Sequence, residues 1–168
     1  MRTHPPRTLA VIAALGAAAA LSVAYGSEIW GGLVPCALCL VERWPYRIVI
    51  VLGLFAAIAP RRLVRPILSL AILCLLVGAV IAFVHVGVEQ TWWPSPLPEC
   101  AAPHITGASI AERLASMPAR PSKPCDEPTF LISGLPLSMA AMNLLFAAGF
   151  AAVLLILLPQ RSHRDYRY

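Results

Sequence analysis

Three stretches of this chain run for a bilayer's depth without a charged side chain: Thr8 to Ser27, Pro66 to Val88 and Leu135 to Leu158. Hydrocarbon about 30 Å thick takes about 20 apolar residues of helix. A fourth stretch, Cys36 to Ala59, has the length but carries Glu42, Arg43 and Arg47. Inside a bilayer every backbone polar group needs a partner within the protein, which leaves helices and closed barrels. Barrel strands alternate apolar with polar residues, and these runs do not alternate. The expected fold is therefore an all-α membrane protein. It is a four-transmembrane-helix bundle in a single domain over residues 1–168, with spans at about 8–27, 36–59, 66–88 and 135–158. Only 12% of the residues are charged, against about 25% in a soluble domain.

The first run has a rival reading as a cleaved signal peptide, given Arg2, Arg7 and the sequence AYGS. Its apolar run exceeds the roughly 7–15 residues of a signal h-region, which favours a retained span. The net charge of +5 is no nucleic-acid signal, because its location decides its meaning. Arg2 and Arg7 lie at the N-terminus, Arg61, Arg62 and Arg65 between the second and third runs, and Arg161, Arg164 and Arg167 in the tail. Basic connections stay on the cytoplasmic side, so both termini are expected inside. Cys36, Cys39, Cys100 and Cys125 then fall on the outer, oxidising side, where disulfides persist. Cys74 falls within the third run and reads as a small apolar residue.

The outer loop, about 89–133, opens with EQTWWPSPLPEC. Trp92 and Trp93 suit a membrane interface. SIAE, Ser109 to Glu112, has the form of a helix-capping box. Ile110, Leu114 and Met117 share a face behind it, and Pro118 closes it. Two readings stand: a short amphipathic helix on the bilayer surface, or a solvated turn. Cys100 and Cys125 could close a ring of about 25 residues worth about 3–4 kcal/mol as a structural bond. They could equally form a disulfide that exchanges with a partner.

The chemistry concentrates in PCALCLVERWPYR, Pro35 to Arg47. A helix starting near Cys36 puts its positive end at the thiols, and CxxC spacing with a nearby arginine further favours thiolate. Cys36, Cys39, Arg43 and Arg47 fall on one helical stripe. A guanidinium at the bilayer edge is costly and needs a purpose. Arg43 could stabilise a Cys39 thiolate or bind the carbonyl of a lipid-soluble ligand. Glu42 either neutralises Arg43 or faces the interface. Pro45 removes the bond to Val41, so the helix either kinks there or starts late. A zinc half-site is disfavoured, since structural zinc takes four ligands and Cys100 and Cys125 are not a second CxxC. Leu40 follows Cys39, which excludes a c-type haem motif. A structural Cys36–Cys39 bond would close too small a ring to gain much entropy. A redox role remains.

This segment, with HVGVEQTWWPSPLPEC (His85 to Cys100) and CDEPTFLISGLPLSMAAMN (Cys125 to Asn143), resembles the DsbB quinone-dependent disulfide-forming proteins of bacterial inner membranes. The resemblance spans nearly the whole chain. It implies an enzyme, a quinone-dependent protein-disulfide oxidoreductase, that reoxidises a periplasmic thioredoxin-fold oxidase of the DsbA type. The implied catalytic residues are Cys36, Cys39, Cys100 and Cys125. Cys100 forms the mixed disulfide with the partner, Cys125 exchanges with Cys36, and ubiquinone or menaquinone re-forms Cys36–Cys39. Cys39 and Arg43 match the quinone site. His85 either joins that site or packs at a helix end. Where relatives often carry an aromatic after the second loop cysteine, this chain has Thr129 and Phe130, and Phe130 is expected to substitute. A DsbA-type couple lies at about −120 mV, so only a strong acceptor can draw electrons from it. Three further readings are a vitamin K epoxide reductase-like quinone and thiol relay, whose CxxC lies on a later span, a membrane thiol reductase that runs electrons outward, and a non-enzymatic membrane protein with structural disulfides.

Overall fold

A computed structural model describes residues 6–100, 109–115, 123–131, 134 and 136–158. Among them the regular structure is helical, with no strand and only two isolated β-bridges. The order is α1 (Pro6–Ile29), α2 (Ala37–Val41), α3 (Arg43–Ile58), α4 (Arg61–Glu89), a 3₁₀ turn at Pro98–Cys100, α5 (Ile110–Ala115) and α6 (Met139–Leu157). Three of these, α1, α4 and α6, are long and apolar enough to cross a membrane.

Pro6 opens α1, where its missing N–H costs nothing and its fixed φ suits the first turn. Leu9, Ala10, Ala13, Ala14, Ala17 and Leu21 form the buried stripe of α1. Such small residues let backbones approach closely, which is how helices associate without water to drive them. Gly53 of α3 meets this stripe. A Cβ there would lie 2.7 Å from the carbonyl oxygen of Ala10 and 2.9 Å from the Ala14 Cβ.

The second predicted span is not one helix. It breaks at Glu42 into α2, of 5 residues, and α3, of 16. Pro45 is the reason. As the third residue of a new helix its absent N–H is one that a first turn leaves unpaired anyway. A continuous helix would have left the Val41 carbonyl without that donor. The Pro45 ring then packs toward α4, where a Cβ on Gly78 would lie 3.2 Å from it.

Along α4, buried Val64, Leu68, Ala71, Leu75, Gly78, Ala82 and His85 repeat at alternate steps of four and three. That is the seam of a helix packed along its whole length. His85 is the last position of the seam, so the same periodicity that builds the core aims an imidazole inward. The basic residues Arg61, Arg62 and Arg65, expected in a turn, lie in the first turns of α4.

The C-terminal end of α4 closes with Thr91 N–H on the Val88 carbonyl and Trp92 N–H on the Gly87 carbonyl, at 3.0 and 2.8 Å. This is the Schellman pattern, with Thr91 in the left-handed region at φ 58°. Helix α6 starts four residues later than expected. Ser138 caps it, its Oγ accepting from Ala141 N–H at 3.1 Å. A serine cap outcompetes the upstream Leu-Pro-Leu for the start position.

α1 packs on α3, α3 on α4, and α4 on α6. One buried cluster joins all four, with Leu9, Val49, Leu68, Leu75, Ala151 and Leu154 at its heart. Arg7 donates to the Ala59 carbonyl at 3.1 Å, tying the start of α1 to the end of α3. The cysteine-bearing elements gather at the opposite end. In the loop, the expected capping box forms: Glu112 N–H donates to Ser109 Oγ at 3.2 Å and Ser109 N–H to Glu112 Oε2 at 3.1 Å. Ile110 and Leu114 of α5 are exposed. Met117, Pro118 and the basic tail residues lie outside the described residues, as does Arg2.

Candidate active site: a thiol pair, a buried carboxylate and an arginine

Cys36 is the N-cap of α2, and its Sγ accepts from Cys39 N–H at 3.1 Å. Extended backbone at Cys36, following Pro35, stops the helix from starting earlier and leaves the sulfur over the first free N–H groups. Both thiols of the CxxC pair are free, and Cys36 is buried. Three side chains converge behind them. His85 Nε2 lies 3.5 Å from Cys36 Sγ, and His85 Nδ1 lies 2.7 Å from Glu42 Oε1. The other carboxylate oxygen, Glu42 Oε2, accepts from Asn143 Nδ2 at 2.8 Å. Asn143 Oδ1 in turn accepts from Tyr46 O–H at 2.5 Å. Glu42 is buried. A buried carboxylate is tolerable only when its lone pairs are filled, and here α4 and α6 fill them.

Arg43 turns the other way, toward α1. It pairs with Glu28 and places its guanidinium carbon 4.8 Å over the Tyr25 ring. Neither reading of Glu42, as partner of Arg43 or facing the interface, is found: Arg43 takes Glu28, and buried Glu42 takes His85 and Asn143. Arg43 is itself buried, and among the described residues its Nε is a buried polar atom without a partner. Arg47 leaves the common stripe. It is exposed, donates to Tyr25 O–H at 2.6 Å and sits 5.1 Å over Trp44.

Between α1, α3 and α6 lies an apolar cavity of about 290 Å³. Cys39, Glu42, Arg43, Tyr46 and Asn143 supply its polar edge, and Leu21, Met139, Met142 and Phe146 much of its wall. His85 is not among its lining residues and stands on the Cys36 side of the pair.

The loop pair is joined: Cys100 and Cys125 form a disulfide. It packs against the thiol pair in a second buried cluster of Cys36, Leu38, Val88, Cys100 and Cys125. A parallel β-bridge sets Lys123 beside Cys36, and Cys125 N–H donates to the Cys100 carbonyl at 3.3 Å. Thr129 accepts from Met139 N–H at 2.8 Å, and Phe130 bridges to Ser138. Trp93 lies over Gly87 and donates to the Val84 carbonyl at 3.1 Å, holding the loop on the end of α4. The four cysteines assigned by resemblance are thus gathered at one end of the molecule. Cys74 stands apart, half-buried beside the core.

A family model described as "Disulfide bond formation protein DsbB" matches residues 6–157. The chain belongs to the DsbB family. Its span of agreement takes in every helix described above, from α1 to α6. The "Disulfide bond formation protein B" of Stutzerimonas stutzeri (strain A1501) is 31% identical over 175 residues, covering 98% of this chain and 100% of that protein. The "Uncharacterized protein RP370" of Rickettsia prowazekii (strain Madrid E) is 32% identical over 127 residues, covering 75% of this chain and 72% of that one. No solved structure matches significantly. DsbB membership makes this a membrane protein of disulfide-bond formation.

Three residues of this polar cluster escaped the sequence reading: Glu28, Tyr46 and Asn143. Each carried a signal. Asn143 is an amide inside an otherwise apolar span, a position that in membranes calls for a polar partner on another helix. Glu28 closes the first run as its lone carboxylate, and Tyr46 follows Pro45 within the quoted motif.

Proposed function

We propose that the chain is a quinone-dependent thiol oxidase of the bacterial inner membrane, passing electrons from a periplasmic DsbA-type dithiol to ubiquinone or menaquinone. The observation that carries this reading is the unpartnered Nε of buried Arg43 at the rim of an apolar cavity that Cys39 also lines. An orphaned buried donor normally costs about 1–3 kcal/mol, and a ligand carbonyl would satisfy it. A flat, lipid-soluble ring with carbonyl oxygens fits both the apolar wall and the donor. When bound, a quinone supplies a sink for two electrons and two protons.

The protein's own residues do the rest. The partner's thiolate attacks Cys100, breaking Cys100–Cys125 and forming a mixed disulfide. The partner's second thiolate releases it oxidised and leaves Cys100 and Cys125 as thiols. Cys125 gives its electrons to the Cys36–Cys39 disulfide by exchange through Cys36, with which it is already packed. Cys36 and Cys39 are then the dithiol whose reoxidation closes the cycle. His85, with Nδ1 on Glu42, keeps its Nε2 lone pair toward Cys36 and can take the proton that leaves that thiol. Arg43, held by Glu28, orients the acceptor beside Cys39.

A groove lined by Trp92, Trp93, Leu97, Pro98, Cys100 and Asp126 gives a partner peptide access to the loop disulfide. In this reading α2 and α3 together cross as a fourth span. The outward faces of α3 support it, since Ile48, Val51, Leu54, Phe55 and Ile58 are all exposed and apolar. The basic end is cytoplasmic, the cysteine end is periplasmic, and α5 rests its Ile110 and Leu114 on the bilayer surface.

The deciding experiment is quinone reduction by the purified protein with a reduced DsbA-type dithiol. Turnover that vanishes in Cys39→Ser and needs more quinone in Arg43→Ala is the expected result. Absence of turnover with either quinone, from folded protein with its disulfides intact, would sink the reading.

A further inference from the structure

We propose that Cys36, Cys39 and His85 form a binding site for a thiophilic divalent cation, Zn²⁺ foremost, that exists only while the CxxC pair is a dithiol. Its occupation arrests the thiol pair. The arrest rests on the relay proposed above; the site itself does not.

The ligand atoms, two sulfurs and one imidazole nitrogen, all lie within 4.8 Å of one another. The fold supplies what the spacing could not. A CxxC alone offers two ligands, and the inward seam of α4 delivers a third from 49 positions away. One edge of the trio already has the spacing of a bound ion, and the widest separation, 4.8 Å, closes by about 1 Å on binding. With Zn–S of about 2.3 Å and Zn–N of about 2.0–2.1 Å, a tetrahedral centre separates S from N by about 3.6 Å. Cys36 Sγ and His85 Nε2 are 3.5 Å apart. The histidine is also prepared. Its Nδ1 faces Glu42 Oε1 at 2.7 Å, which fixes the ring with Nε2 as the free lone pair. A carboxylate behind a ligating histidine is the usual outer partner of a zinc ligand and raises its basicity. Asn143 holds that carboxylate in turn. Leu38 and Val88 give the trio an apolar shell.

Binding involves no electron transfer. Each thiol loses one proton, and the cation takes two thiolates and the neutral imidazole, which makes the assembled site uncharged. Cys39 lines the cavity, so a fourth position has room for water. Once oxidised, the pair has no thiolate to offer, and the site is gone. The cation thus competes with the pair's own reoxidation.

Two measurements test this, and neither uses quinone or a partner dithiol, so failure of the relay and failure of the site are separable. In the first, the full chain in detergent is reduced with a phosphine, given one equivalent of Zn²⁺ and alkylated, and the modified cysteines are mapped. Protection of Cys36 and Cys39, with Cys100 and Cys125 modified, is expected. Equal modification of all four, or protection of the loop pair instead, overturns the site. In the second, Co²⁺ is titrated into reduced protein carrying Cys74→Ala, Cys100→Ser and Cys125→Ser. Sulfur-to-cobalt charge transfer and tetrahedral d–d bands saturating at one cobalt per chain are expected. Affinity should fall by at least about 10-fold in His85→Gln and by about 10–100-fold in Glu42→Gln. Unchanged affinity in His85→Gln, or the same bands from oxidised protein, overturns the proposal. The alkylation map decides should the multiple variant not fold.

Discussion

Asn143 Nδ2 donates to Glu42 Oε2 at 2.8 Å, joining the last helix to the break in the second span across 101 positions of sequence. The same amide accepts from Tyr46 O–H, so one side chain satisfies two buried polar groups. Replacing Asn143 with alanine is expected to lower stability by about 1–3 kcal/mol, since it strands a carboxylate oxygen and a phenol together. Thermal unfolding in detergent would show it. A change below a few tenths of a kcal/mol would mean water fills the gap.

Close helix contact predicts an asymmetry between two glycines. Gly53→Ala forces a methyl group against the Ala10 carbonyl and Ala14 of α1. A loss of about 1–3 kcal/mol is expected from that overpacking. Gly149 faces open space, and Gly149→Ala should shift stability by no more than about 0.5 kcal/mol. Paired melting curves compare them directly.

Thr91 holds a left-handed conformation at the end of α4 that glycine adopts without penalty. Relieving a β-branched residue there should stabilise the protein by about 1 kcal/mol in Thr91→Gly. A loss of stability instead would show that the Thr91 side chain contributes more than its backbone costs.

Arg43→Lys keeps the charge near Glu28 but removes Nε and the planar fork. If Nε holds the acceptor's carbonyl, the quinone KM should rise on the order of 10-fold, the equivalent of one lost hydrogen bond. Turnover at saturating quinone should change little. An unaltered KM would place the acceptor elsewhere in the cavity.

Cys74 lies outside the cluster that gathers the other four cysteines. Cys74→Ala is expected to leave thiol oxidation unchanged and to shift stability by less than about 1 kcal/mol. A defect in partner reoxidation would bring this thiol into the relay.

Much of the architecture was legible because hydrophobic length is a local property. The uncharged runs at α1, α4 and α6 need only their own residues to be recognised, and the Ser109–Glu112 capping box is equally local. The break at Glu42 was only half legible: Pro45 announced a disturbance, but a kink and a restart differ by which carbonyls find donors. The thiols and Arg43 could be named from spacing and family resemblance. Their partners could not. Whether Glu42 pairs with Arg43 or with His85 depends on helix phase across the break and on where α4 and α6 come to rest, and neither is written in PCALCLVERWPYR. Glu28 and Asn143 were visible as polar residues near apolar runs, without anything to say what they would face.

The short first piece of the broken helix also decides what the two thiols face. The pair faces two neighbours at once: Cys36 packs against the loop disulfide, and Cys39 lines the cavity. Both thiols sit at the head of a segment of five residues, and Glu42, its N–H on the Leu38 carbonyl at 3.0 Å, carries the turn on into α3. One short helix end therefore stands between the loop sulfurs and the apolar cavity, and α3 behind it is anchored on α1 and α4.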